Sequence, residues 1–205
     1  MDKLINSKER NIFFHKSQNY LDNLYSLFND EIYLKIEQLA KNIKKVWEEG
    51  NNVFICGNGG SACNAMHMAN DFHYGIGACG IPPKVRGLKV EALPSNPGII
   101  TCLGNDMGYE DIFSHQLESK GSNGDILIAL SGSGNSMNII KALKTAKAKR
   151  VYSYAILGFK GGKALHYADY PIHFPIEDMQ ISEDTQLIVG HICMQWLTEN
   201  KPIFK

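Results

Sequence analysis

A short apolar run that halts on a glycine-rich turn constrains this chain more than any other stretch. Val53-Phe54-Ile55-Cys56 reads as a strand, Gly57-Asn58-Gly59-Gly60 breaks it, and from Ser61 to His73 the pattern is helical. The glycines permit positive φ and let a ligand approach the backbone closely. Ser61 is expected to cap the helix. Unpaired first-turn amides at the positive end of a helix dipole make a seat for a phosphate or carboxylate, although an ordinary strand-to-helix turn would look the same.

The rest of the chain repeats this theme. Asp125 to Leu130 is a continuous apolar run that ends in Ser131-Gly132-Ser133-Gly134-Asn135-Ser136, with a helix predicted from Met137 to Ala148. Strands are also expected at Val90–Pro94, Val151–Leu157 and Tyr170–Phe174. Helices are expected at Ile99–Leu103, Asp111–Lys120, around Ala164–His166 and at Glu183–Asn200. The Gly- and Pro-rich stretch from Gly75 to Lys89 reads as a loop. Two amphipathic helices, Ser7–Phe28 and Glu31–Gly50, come first, with Asp30 placed to cap the second and Gly50 to end it. They can pack on a partner subunit or only on their own domain. Strands alternating with helices imply an α/β fold with a doubly wound parallel sheet. Ligands of such folds sit outside the carboxyl ends of the strands, near a switch point in strand order. Both glycine-serine loops leave that edge.

With 205 residues, one sizeable domain is expected. Lys and Arg (21) balance Asp and Glu (21), which argues against a dedicated nucleic-acid binder. No apolar run approaches the roughly 20 residues of a membrane helix. The polar N-terminus, MDKLINSKERNIFFHKS, is unlike a secretory signal. Five cysteines without CxxC spacing read as reduced, buried thiols of a cytoplasmic protein.

Several groups can do chemistry. Ser131, Ser133 and Ser136 offer three hydroxyls beside free amides, enough to wrap a phosphate. The turn has no Lys, so it is not the Walker loop, and GNGGSA lacks the GxGxxG spacing of dinucleotide sites. His67 and Asp71 stand four apart on one helix face, where they can orient an imidazole, bind a metal, exchange protons or form only a solvated pair. His191 lies among apolar residues of the last helix. Asp184 falls nearly on its face and Glu183 about a quarter-turn away. Asn105-Asp106 read as a turn after a helix.

Taken together, CGNGGSACNAMHMANDF, LGNDMGYEDIF, LSGSGNSMNIIKAL, GFKGGKAL and QISEDTQLIVGHI resemble the sugar isomerase (SIS) domain family, and within it the phosphoheptose isomerases. Those enzymes convert sedoheptulose 7-phosphate to D-glycero-D-manno-heptose 7-phosphate. The resemblance implies a five-stranded, flavodoxin-like parallel sheet flanked by helices. It implies a single SIS domain over 1–205, with the helical pair of 1–50 used in oligomer packing and 51–205 as the core. It implies a cytoplasmic homotetramer with shared sites, and no nucleotide cofactor. Phosphate binding falls on Ser131, Gly132, Ser133 and Ser136, with Ser61 nearby, and further substrate contacts on Asn58, Gly59, Gly60, Asn105 and Asp106. Asp71 and His191 fall on the acid–base positions. His67, Asp71, Glu183 and His191 fall on the positions that hold zinc, Asp71 and Glu183 also facing substrate. Three positions depart from the family's habit: Asp71 is usually Glu, Glu183 is usually Gln, and Gly132 is commonly Thr. SIS-fold proteins also include a non-catalytic partner of the bacterial replication initiator, so a phosphosugar-binding adaptor, or an isomerase of a related sugar phosphate, stands as the alternative.

Overall fold

A computed structural model describes residues 7–79 and 81–204. The first six residues of the polar N-terminal stretch, and Gly80 within the expected loop, lie outside them. Helices α1 (Ser7–Ser26) and α2 (Asp30–Glu49) precede an alternating core of β1 (Asn52–Gly57), α3 (Gly60–Asn70), β2 (Lys89–Ala92), α4 (Pro97–Asp106) and α5 (Ser114–Lys120). The core continues through β3 (Ile126–Ser131), α6 (Met137–Lys149), β4 (Tyr152–Leu157), α7 (Ala164–Tyr167), β5 (Tyr170–His173) and α8 (Met179–Glu199). The five strands are all parallel, in the order β2-β1-β3-β4-β5. This is the flavodoxin-like order, and its switch point lies between β1 and β3.

Period-two alternation sorts the strands' side chains onto two helical layers. Val53 and Ile55 of β1, Ile126, Ile128 and Leu130 of β3, and Ile156 of β4 pack on α2, α3 and α8 through Leu39, Ile43, Met68, Val189 and Cys193. Phe54, Cys56, Leu127, Ala129 and Leu157 face the other way, onto Leu117, Ile139, Leu143 and their neighbours. Every residue of β3 is buried. Covered on both faces, it has to be apolar throughout, which is why its sequence shows no alternation.

Several boundaries differ from expectation, among them the start of α5, at Ser114 rather than Asp111. Asn29, not Asp30, caps α2, its side chain accepting from the Ile32 amide. Gly59 holds the cap position of α3, so Ser61 is a buried first-turn residue rather than the cap. α4 runs on through Asn105 and Asp106, which form its last turn instead of a loop. α8 starts four residues early at Met179, because Asp178 caps it by accepting from the Ile181 amide at 3.0 Å. Gly50 ends α2 as expected, in the left-handed conformation. α1 has no fully buried side chain among its described residues; Phe13, Leu21 and Tyr25 are exposed. Only two of the five cysteines, Cys56 and Cys193, are buried, and burial pushes both thiols up to about 12.

Candidate active site at the sheet switch point

The two glycine loops leave the adjacent strands that flank the switch point: Gly57 pairs with Leu130 at the strand ends. Side chains then stitch them together. Asn58 and Asn138, the latter in the first turn of α6, exchange two amide hydrogen bonds of 2.9 Å each. A crevice of about 640 Å³ opens beside them, lined by Asn58, Tyr109, Ser136 and Asn138 among others. A larger cavity of about 1120 Å³ lies between residues 81–86 and the C-terminal segment, apart from both loops.

Within the serine loop, Ser131 Oγ accepts from the Gly134 amide at 3.0 Å and Ser133 Oγ from the Asn135 amide at 3.3 Å. Each oxygen is thus held by a backbone donor while its own proton stays available for an outside acceptor. Ser136 caps α6 by position, without a side-chain bond to the helix. The loop is braced from behind: the Ala164 amide donates to Gly134 O at 2.9 Å and the Lys163 amide to Asn135 Oδ1 at 3.1 Å. Gly132 lies beside the thioether of the exposed Met179, which a Cβ there would push aside.

The titratable groups come from α3 and α8, which run side by side in the same direction. The Asn64 side chain donates to Glu183 O at 2.9 Å and to Gln186 Oε1 at 3.2 Å, and further along His67 meets His191. Gly190 makes this approach possible, because a Cβ there would fall 2.8 Å from Met68 Cγ. His67 Nε2 lies 3.1 Å from His191 Nε2, and Asp71 Oδ2 lies 3.4 Å from the first and 3.6 Å from the second. Asp71 stands where α3 passes into a single π turn, Asp71–Gly75. Such turns recur at functional sites, where the extra residue re-aims the side chains beyond it. His73 points away, toward Leu88 O.

Two imidazole nitrogens and a carboxylate oxygen are a zinc-type donor set. Ligand atoms about 2.0–2.1 Å from a tetrahedral ion stand about 3.3 Å apart, and the observed edges bracket that value. The residues present therefore fit an ion, with a fourth position open. Glu183 does not join this group. Its carboxylate lies against Gly60 at the start of α3, so close that a Cβ on Gly60 would overlap it. Asp184, which helix spacing put on the face of His191, turns outward and accepts from the Tyr20 hydroxyl. Desolvation and this bond raise the Tyr20 phenol to about 12. Asn105 and Asp106 are exposed and bonded to each other, with Cys102 Sγ 3.5 Å from Asp106. Among the described residues they make no hydrogen bond to either loop or to the histidines.

Sequence reasoning assigned no role to Tyr109 or Asn138. Both bond Asn58, and the signal for them was only their presence inside the GNDMGYEDIF and SGNSMN blocks.

Residues 13–158 match the family model described as SIS domain. A phosphoheptose isomerase of Aneurinibacillus thermoaerophilus is 38% identical over 168 residues, covering 81% of each chain. One from Vibrio cholerae serotype O1 is 40% identical over 151 residues, covering 73% of this chain and 75% of the relative. The structure of phosphoheptose isomerase GmhA from Neisseria gonorrhoeae superposes with a TM-score of 0.80 at 24% identity, over 94% of this chain and 98% of that one, which is a likeness of fold. The chain belongs to the SIS domain family and groups there with the phosphoheptose isomerases.

Proposed function

We propose that this protein is an aldose–ketose isomerase that converts sedoheptulose 7-phosphate to D-glycero-D-manno-heptose 7-phosphate. The observation that carries the reading is the convergence of His67, Asp71 and His191 beside two linked loops at the sheet switch point, in a chain 38% identical to a protein of that name. Ser131, Ser133 and Ser136 donate to the phosphate, helped by backbone amides of the same loop. Asn58, Gly59, Gly60 and Ser61 border the sugar chain, with Asn105, Asp106 and Glu183 as outer contacts.

Isomerisation moves a proton between neighbouring carbons through an enediol, so one group must take the proton and another must handle the oxygens. Asp71 presents Oδ2 to both imidazoles, which leaves Oδ1 to exchange a proton. His191, across from it on α8, is its partner in acid–base transfer. His67, Asp71 and His191 would also hold zinc, which when bound supplies charge to polarise a carbonyl and steady the developing oxyanion. We read the chain as one SIS domain over 1–205 that assembles as a homotetramer through the helices of 1–50. Five unpaired thiols support a cytoplasmic setting.

The test is incubation with sedoheptulose 7-phosphate, with and without chelator, and NMR of the products. An aldose phosphate that accumulates only without chelator is expected. Clear binding of several sugar phosphates with no turnover of any would overturn the isomerase and leave the phosphosugar-binding adaptor.

A further inference from the structure

We infer that Asn138 and Tyr109 are positioning residues that fix the polarity of Asn58, making it a pure hydrogen-bond donor toward the substrate. The inference rests on the reading that Asn58 borders the sugar phosphate. It starts at a backbone group whose direction is not adjustable. The Ile139 amide donates to Asn138 Oδ1 at 2.9 Å and shares the same proton with Ser136 O at 3.1 Å; an N–H can only donate, so at that distance the Asn138 amide turns its oxygen, not its NH2, toward it. Asn138 is 2% exposed and cannot turn toward solvent to escape this.

With its oxygen so placed, Asn138 offers Nδ2 to Asn58, and Asn58 must answer with Oδ1, at 2.9 Å. The return bond runs from Asn58 Nδ2 to Asn138 Oδ1, also at 2.9 Å. Tyr109 then donates its hydroxyl to the same Asn58 Oδ1 at 3.0 Å. Both lone-pair directions of that oxygen are consumed, and one of its two amide protons is spent on Asn138. What remains is a single N–H, on a residue that lines the crevice together with Ser136. A donor-only group suits an oxygen acceptor, either a phosphate oxygen or a sugar hydroxyl next to it. The relay also explains why a residue buried in α6 is an amide. An aliphatic side chain of similar size would fill the space but remove both bonds that orient the Asn58 amide.

The test is a double-mutant cycle on binding. Asn138→Leu is nearly isosteric and adds no charge. It should raise the calorimetric Kd, and the KM, for sedoheptulose 7-phosphate about tenfold, with kcat changed by less than about threefold, the scale of one lost hydrogen bond to an anion's oxygen. In an Asn58→Ala background the same substitution should change Kd by less than about twofold, because Asn138 acts through Asn58. Kd for inorganic phosphate distinguishes the acceptors: it rises in parallel if a phosphate oxygen takes the bond and stays unchanged if a hydroxyl does. Either result supports the relay. Tyr109→Phe, at an exposed side chain, should give about a threefold rise and keeps the test decisive where the leucine variant does not fold. The relay is overturned if neither single variant shifts Kd, or if the shift persists at full size without Asn58. Binding that responds as expected in a wild-type protein without turnover would keep the relay and remove only the isomerase.

Discussion

At Asp71 a single carboxylate oxygen faces two imidazoles, so its reach matters more than its charge. It is one methylene shorter than the glutamate that the family resemblance implies, and it reaches both rings where α8 comes close to α3, with Gly190 set against Met68. Asp71→Asn keeps shape and removes the carboxylate of the proposed acid–base pair, and turnover should fall roughly 100-fold or more while phosphate affinity stays within about threefold. Steady-state kinetics beside phosphate calorimetry would show it, and undiminished turnover would refute the role. Gly132 makes a second prediction. Gly132→Thr, the commoner residue in the resembled family, should leave phosphate affinity within about threefold, because the atom in its way is the thioether of Met179, an exposed and flexible side chain that can swing aside. Thermal melts and phosphate binding would register the outcome, and a large loss would show that Met179 is held in place. The pairing of His67 with Asp71 was legible in the sequence, since four-residue spacing puts two side chains on one helix face. His191 could be joined to them only by resemblance, because no local rule relates two helices more than a hundred residues apart. Glu183 also faces α3, but it precedes His191 by eight residues, about 12 Å along the helix axis, so its carboxylate meets Gly60 rather than the histidines.

Strands and helices were easier to read than their ends. Buried strands such as β3 announce themselves by unbroken apolar runs, whereas the helix starts expected at Ser61, Asp30 and Glu183 are supplied by residues one to five positions upstream. Asn29 and Asp178 accept a first-turn amide, and Gly59 simply allows the turn. Caps are decided by one backbone torsion, which composition does not reveal. One tie between elements has a pH signature. Lys141 on α6 reaches Asp111, at the turn before α5, at 2.9 Å and Glu110 at 2.7 Å. The Lys141 ammonium holds the Asp111 carboxyl below its ordinary value, and the two carboxylates hold Lys141 above its own. Asp111 therefore adds stability above the unfolded carboxyl's pKa and loses it as pH falls through the lowered folded value. Lys141 adds stability below its unfolded pKa and loses it as pH rises through the raised folded one. Carboxyl NMR should find Asp111 moving up toward its ordinary value in Lys141→Ala, and an unmoved titration would contradict the tie.

Across the whole molecule, the parallel sheet and its ligand edge could be read from the alternation of runs and loops, while strand order required contacts the sequence does not print. The exposed side of α1, with Phe13, Leu21 and Tyr25 bare, is the part a lone chain leaves unexplained. If these helices assemble a tetramer, Phe13→Glu with Tyr25→Glu should shift the mass measured by light scattering to a smaller species, and an unchanged tetramer would place the interface elsewhere. The account stands on one chemical claim: a sugar phosphate held by the two loops exchanges a proton at Asp71 and His191. Proton NMR of sedoheptulose 7-phosphate turned over in heavy water by the zinc-loaded protein tests it most directly. The account predicts an aldose phosphate carrying solvent deuterium at C2, formed roughly 100-fold more slowly, or slower still, by Asp71→Asn. Wild-type protein that binds the sugar phosphate yet yields neither aldose nor deuterium would contradict it.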